Sequence, residues 1–248
     1  MQALIENLKA IKLDVFASGI ETAIDRHPRS REAIIDVISE LARAEMAARQ
    51  ERTVAYRIRE ARFERIETVE AFDFDYNPSV RKIKNRYLKL IESDMTAQGL
   101  NALFVGGSGL GKTHMARAVG YRLCQKGVRV LYTGMSAMTL ALSTADATGD
   151  LKHAMEHYTQ PALLILDEVG YVRMSEMESN LAFQIISQRH DRRRSTIVTT
   201  NRPFGEWNQI FHNDAIAHAI IDRLVERSEV FHLEGKSYRE THRQQLKT

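Results

Sequence analysis

The run Gly106-Gly107-Ser108-Gly109-Leu110-Gly111-Lys112-Thr113 has the spacing G-x-x-x-x-G-K-[ST]. Small residues let a backbone curl until several N–H groups point at one anion, and a helix that follows adds its positive N-terminal end. In that geometry Lys112 reaches the outer phosphates of a nucleotide and the Thr113 hydroxyl ligates Mg²⁺. A second group lies downstream in Leu163-Leu164-Ile165-Leu166-Asp167-Glu168, an apolar run ending in two carboxylates. At the carboxyl end of a parallel strand, Asp167 would arrive beside Thr113 and hold the same Mg²⁺, directly or through water. Glu168 is then placed to polarise an attacking water. A third run, Ser195-Thr196-Ile197-Val198-Thr199-Thr200-Asn201, ends in an amide. Asn201 reads either as a group that orients the water or contacts the terminal phosphate, or as a turn former. Phosphoryl transfer also calls for a cation opposite the developing charge, often supplied in trans. Arg223 and Arg227 of Ile221-Asp222-Arg223-Leu224-Val225-Glu226-Arg227 would share one helix face. Pairing with Asp222 and Glu226 is the competing reading, but adjacent residues face each other poorly. Arg223 is therefore read as a subunit-bridging finger.

These side chains work only if a particular set of elements carries them. Leu103-Phe104-Val105 reads as a short buried strand before the glycine loop. From Thr113 to Gln125, apolar Met115, Ala118, Val119 and Leu123 follow helical spacing. Short apolar runs at 102–105, 128–133, 163–166 and 196–200 alternate with helical segments. That alternation predicts an α/β fold, a parallel sheet covered by helices on both faces. The first 70 residues contain no convincing strand. Leu4, Leu8, Ile11, Leu13 and Phe16 begin one helical pattern, and Ile34, Ile35, Val37, Ile38 and Leu41 form a second, with Pro28 and Ser30 at the break. Residues 43–67 are rich in Ala, Arg and Glu and continue as helix. Ala71-Phe72-Asp73-Phe74-Asp75-Tyr76-Asn77-Pro78 is an aromatic break, and a helix over 79–97 follows. The expected domains are a helical 1–70 and an α/β 71–248.

The bulk composition excludes several classes. The chain has 248 residues, 44% hydrophobic and 27% charged, which is an ordinary globular balance. No run of about 18 apolar residues is present, so no membrane span or membrane partner is expected. The N-terminus lacks the layout of a secretory signal. Cys124 is the single cysteine and reads as a packed thiol, which suits a reducing cytoplasm. Net charge is +3, so the distribution of charge matters more than its sum. Three basic clusters stand out: Arg81-Lys82-Lys84-Arg86-Lys89, Arg189-His190-Arg192-Arg193-Arg194, and the arginines from Arg49 to Arg65. Each is either a solvated face or a DNA-phosphate contact of the kind that carries little sequence information.

Taken together, the motifs resemble the AAA+ ATPases, and among them the IstB-like helper ATPases of insertion-sequence transposition, relatives of the DnaC helicase loaders. The resemblance rests on Gly111-Lys112-Thr113-His114-Met115-Ala116 and Leu166-Asp167-Glu168-Val169-Gly170-Tyr171. It extends through Thr199-Thr200-Asn201-Arg202-Pro203-Phe204 with Trp207, Ala219-Ile220-Ile221-Asp222-Arg223-Leu224, and Gly235-Lys236-Ser237-Tyr238-Arg239. It implies an AAA+ core preceded by a small all-helical domain, with a truncated or absent lid, so that Arg239 is at best a substitute for a lid-borne arginine. It implies ATP as ligand, contacted from Gly106 through His114, with Mg²⁺ on Thr113 and Asp167. It implies hydrolysis promoted by Glu168, sensed by Asn201 and completed by Arg223. As partners it implies other copies of the chain, double-stranded DNA without strict sequence readout, and a transposase.

Three other functions share the loop. A helicase loader would grip a replicative helicase and prefer single strands. A small-molecule kinase would be monomeric and indifferent to DNA, against which the Asp167-Glu168 pair and Arg223 argue. A nucleotide-gated scaffold would use hydrolysis only to reset an assembly.

Overall fold

A computed structural model describes residues 2–26 and 31–239. The chain divides into two compact units, Met1–Tyr56 and Arg57–Thr248. In the first, α1 (Gln2–Ala10), α2 (Asp14–Arg26) and the larger part of α3 (Arg31–Glu60) bury Leu8, Ala17, Ile20, Val37 and Leu41 together. The pattern from Leu4 to Phe16 looks continuous in sequence, yet two helices share it. Lys12 takes φ 60°, the Leu13 amide closes back on Leu8 at 2.8 Å, and α1 ends there. Helix α2 then starts against a buried carboxylate: Glu45 accepts from the Val15 and Phe16 amides at 2.9 and 3.3 Å. The break expected at Pro28 and Ser30 lies outside the described residues. The two later helical segments are one helix, α3, which stops at Glu60 rather than Glu67.

The second unit is built on a five-stranded parallel sheet in the order β2-β3-β4-β1-β5. The strands are β1 (Asn101–Gly106), β2 (Val130–Gly134), β3 (Leu163–Val169), β4 (Ser195–Thr200) and β5 (Ser228–Leu233). Around them run α4 (Pro78–Glu92), α5 (Met95–Gln98), α6 (Lys112–Gln125), α7 (Met135–Thr148), α8 (Leu151–Thr159), α9 (Glu176–Asp191) and α10 (Asp214–Val225). Alternate residues of each central strand feed two cores. Phe104, Ile165 and Ile197 pack with α4 and α6, whereas Leu103, Leu164 and Val198 pack with α7, α9 and α10. Burial on both faces is why these strands read as unbroken apolar runs.

Four strands were expected and the structure has a fifth. Ser228-Glu229-Val230-Phe231-His232-Leu233 lies at the sheet edge, where Phe231 and Leu233 are buried but the others are not, so polar residues interrupt the apolar signal. The helix expected over 79–97 is α4 followed by α5. Asn77 caps the first through the Ser79 amide, and Asp94 caps the second through the Ala97 amide. Helix α10 ends at Val225, so Arg227 lies beyond it and does not share a helical face with Arg223. Among the described residues, no helix is long and apolar enough to cross a membrane.

Arg189 is 1% exposed and belongs to the core rather than to a basic surface. Its guanidinium donates to Thr196 Oγ1, to the carbonyls of Tyr158 and Pro161, and to that of Ser195. Burial pulls its pKa down to about 9, and the carbonyls supply the partners a desolvated cation needs. It thereby ties the end of α8 to the start of β4.

Candidate functional site

The glycine loop leaves the carboxyl end of β1 and runs into α6. Two of its glycines are demanded by geometry. A Cβ on Gly106 would sit 2.1 Å from the Leu233 carbonyl oxygen. Gly111 takes φ 83° at the start of α6, and a Cβ there would lie 2.5 Å from the Phe72 ring. No side chain caps the N-terminus of α6, which leaves its first amides available to an anion. Lys112 is buried to 8% exposure and its ammonium donates to the Gly107 carbonyl at 2.7 Å. Burial lowers its pKa from the ordinary lysine range, and the carboxylates of Asp167 and Glu168 oppose that shift.

Asp167 and Glu168 reach the same cavity through an irregularity in the sheet. In a regular strand adjacent side chains point to opposite faces. Leu166 pairs with Val198 and Val169 with Thr200, so two residues of β3 oppose Thr199 alone. The Thr199 hydroxyl accepts from the Glu168 amide at 3.0 Å and donates to Asp167 Oδ1, pinning both halves of this bulge. Asp167 turns inward, 3% exposed, where Thr113 Oγ1 donates to its Oδ1 at 2.9 Å. Glu168 stays exposed with φ 61°, a conformation that costs a non-glycine residue on the order of 1 kcal/mol.

Lys112, Thr113, Asp167 and Glu168 border a cavity of about 510 Å³. Its other wall is formed by Phe72 and Tyr76 from the segment before α4, which the motifs did not indicate, and by Tyr238 and Arg239 from the segment after β5, where the Gly235–Arg239 motif lies. These two segments hold each other. Tyr76 and Tyr238 meet edge to face at 5.2 Å, Asn77 Nδ2 donates to the Glu234 carbonyl at 2.8 Å, and the Tyr238 amide donates to the Gly109 carbonyl at 3.0 Å. The aromatic break around Phe72 was the available signal for this wall. The cavity thus offers cations and helix amides at one place, a hydroxyl–carboxylate pair beside them, and aromatic faces beyond. This suits a nucleoside polyphosphate with a divalent cation. Among the described residues, no cluster of three or more His, Cys, Asp or Glu could hold a metal by itself. A cation at Thr113 and Asp167 would therefore complete its shell with phosphate oxygens and water, the ordinary arrangement for Mg²⁺.

The remaining expected residues fall elsewhere. Leu110 is 1% exposed and its side chain lies in the core; Gly106 and Gly107 are not among the lining residues. His114 borders the cavity, but both its nitrogens are engaged, Nε2 with the Thr68 carbonyl at 2.8 Å and Nδ1 with Glu67 at 3.1 Å. It secures the segment that carries Phe72. Asn201 is absent from the lining, where Thr199 and Thr200 appear instead, and its Oδ1 is buried without a hydrogen-bond partner. Arg223 lies on α10 away from the cavity, its Nη1 donating to the Ala219 carbonyl and its guanidinium 4.9 Å from the Phe183 ring centre. Arg227 donates to the His190 carbonyl.

Many of the cations in the three basic clusters are occupied. Arg81 pairs with Asp75 and Arg86 with Glu229; Lys84 lies over the Phe74 ring. Arg49 and Arg52 both pair with Glu45, and Arg65 with Glu67. In the second cluster Arg189 is buried and His190 pairs with Glu226, which leaves Arg192, Arg193 and Arg194 exposed.

Comparison with known proteins places this geometry. The family model described as IstB-like ATP binding protein matches residues 6–246. The chain is 30% identical over 238 residues to the ATP-binding protein of insertion sequence IS232 from Bacillus thuringiensis subsp. berliner, covering 96% of this chain and 94% of that one. It is 36% identical over 202 residues to an insertion-sequence ATP-binding protein of Sinorhizobium fredii (strain NBRC 101917 / NGR234), covering 82% and 67% respectively. The crystal structure of the DnaC helicase loader superposes with a TM-score of 0.60 at 20% identity, over 67% of this chain and 96% of that one. That likeness shows the fold alone.

Proposed function

From the premise that the chain belongs to the IstB-like ATP-binding protein family, we propose that it is a Mg²⁺-dependent ATPase that assembles with its own copies on double-stranded DNA, remodels that DNA and stimulates a transposase, in the cytoplasm. The observation that carries the reading is the bulge that turns Asp167 and Glu168 toward one cavity with Lys112 and Thr113. Lys112 and the α6 amides neutralise the phosphates of ATP. Bound Mg²⁺ would draw charge from the same phosphates while resting on Thr113 and Asp167. Glu168 holds the attacking water and takes its proton as the oxygen bonds the terminal phosphorus and the bridging oxygen leaves with ADP. The aromatic wall of Phe72, Tyr76 and Tyr238 covers the base. The assignment of a transposase as partner rests on the relatives, which are named for insertion sequences. The exposed Arg192, Arg193 and Arg194 support phosphate contact with little base readout.

Arg223 tests the oligomeric part of this reading, because it is remote from the cavity of its own chain. The Arg223→Ala variant is expected to bind ATP normally and to hydrolyse it about 10³-fold more slowly. Mixing it with Glu168→Gln subunits is expected to restore turnover, since an intact Glu168 then meets an intact Arg223 across some interfaces. A mixture as inactive as its parts at every ratio contradicts a shared site.

A further inference from the structure

Asp167 has a second oxygen, and it is not idle. The Tyr132 hydroxyl donates to Oδ2 at 2.5 Å. That hydroxyl accepts in turn from Arg117 Nη2 at 2.5 Å, while the guanidinium lies 4.5 Å from the centre of the Tyr132 ring. The same nitrogen reaches Glu64 at 2.5 Å. A continuous chain therefore runs from Glu64 through Arg117 and Tyr132 to Asp167.

The fold delivers each member from an element already at the site. Gly134 pairs with Asp167 and Tyr132 with Ile165, so Tyr132 and Asp167 stand on one face of neighbouring strands, diagonally opposed. Strand β2 is the last in the sheet, and its free edge is fixed where the Tyr132 amide donates to the Ala61 carbonyl at 2.8 Å. The Tyr132 ring packs 6.1 Å from that of Phe63. Arg117 follows Thr113 by one helical turn on α6, which puts both on one face. Arg117 is 7% exposed, and its Nε is buried without a partner, a cost that filling space alone would not require.

A carboxylate that must offer one oxygen to a cation gains from having the other tethered. With Oδ2 held by a hydroxyl, rotation about the last side-chain bond is blocked, and Oδ1 stays beside Thr113. The Arg117 charge polarises the O–H toward Asp167, as successive hydrogen bonds in a dry environment reinforce each other.

We propose that Tyr132, backed by Arg117, is a positioning residue for the magnesium-binding carboxylate, holding Asp167 Oδ2 so that Oδ1 faces Thr113 and the cation. This rests on the Mg²⁺–ATP reading of the cavity. The test uses the full chain as wild type, Tyr132→Phe, Arg117→Met and the double variant. Binding of a fluorescent ATP analogue is followed in EDTA and along a Mg²⁺ titration, with urea unfolding as a check on the fold. Affinity in EDTA is expected to stay within about twofold of wild type, because Tyr132 acts on the metal carboxylate. The Mg²⁺ concentration for half-maximal effect is expected to rise about tenfold in Tyr132→Phe, the scale seen for lost partners of metal ligands. Arg117→Met should shift it the same way by less. The double variant should match Tyr132→Phe, since Arg117 acts through the hydroxyl. An unchanged Mg²⁺ requirement in Tyr132→Phe overturns the proposal, as do additive losses or an equal loss of affinity in EDTA. If the wild type itself shows no Mg²⁺-dependent nucleotide binding, the reading of the cavity fails, and that outcome is separate from the others.

Discussion

Replacing Lys112 with alanine is expected to weaken ATP binding by about 100-fold while leaving the fold intact. The ammonium is 8% exposed beside the loop, with its pKa lowered by burial. A charge-assisted contact to phosphate in such a place contributes about 3 kcal/mol, or two decades of affinity. The unliganded protein bears the cost of holding that charge out of water, so its removal should not lower the unfolding midpoint. Titration with a fluorescent nucleotide measures the first effect and urea unfolding the second. DNA-dependent assembly should be lost together with nucleotide binding. Affinity within a few-fold of wild type would remove the loop from the account.

The second large effect is expected at Glu168. Glu168→Gln should bind ATP as wild type does and hydrolyse it about 10²- to 10⁴-fold more slowly, the usual contribution of a positioned base. Glutamine keeps the length of the side chain, and the backbone N–H of residue 168 still donates to the Thr199 hydroxyl, so the bulge is retained. The assembled state should then persist, because ATP stays bound. Single-turnover hydrolysis separates the two steps. A Glu168→Gln protein that turns over normally would assign the base elsewhere. One that loses ATP affinity would make Glu168 a binding group instead. The backbone strain at this position, φ 61°, favours a role at the site, since a strained residue persists where its surroundings impose it.

The parts of this molecule that were legible in its sequence are those whose signal is local. The glycine loop, the helix after it and strands β1 to β4 need only neighbours in the chain to be recognised. The meeting of Thr113 with Asp167 followed from the rule that parallel strands present ligands at their carboxyl ends, and the 2.9 Å contact agrees. What escaped depends on pairing across the sheet. The sequence Asp-Glu carries no sign of the bulge, because the bulge is defined by Thr199 on another strand. Strand β5 escaped because Ser228, Glu229 and His232 break its apolar run. Tyr132 looked like one more apolar strand residue until its hydroxyl met Asp167. Charge was the most misleading signal. Arg189 stands in a run of cations, yet its guanidinium is spent on buried carbonyls. Arg49 and Arg52 look like a basic stripe, yet Glu45 pairs with both and Asp14 with Arg52. Composition counts charges and cannot show which of them are paired.

The account's central claim is that ATP in the Lys112–Asp167 cavity drives assembly of this chain on duplex DNA. The most direct measurement is the mass of the particles formed by the wild-type protein with double-stranded DNA, in ATP, in ADP and without nucleotide, with the hydrolysis rate followed in the same samples. The account predicts large protein–DNA particles in ATP, their decay in ADP, and turnover raised by the DNA. A protein that stays monomeric in ATP and DNA, hydrolysing at a rate that duplex DNA does not change, would contradict it.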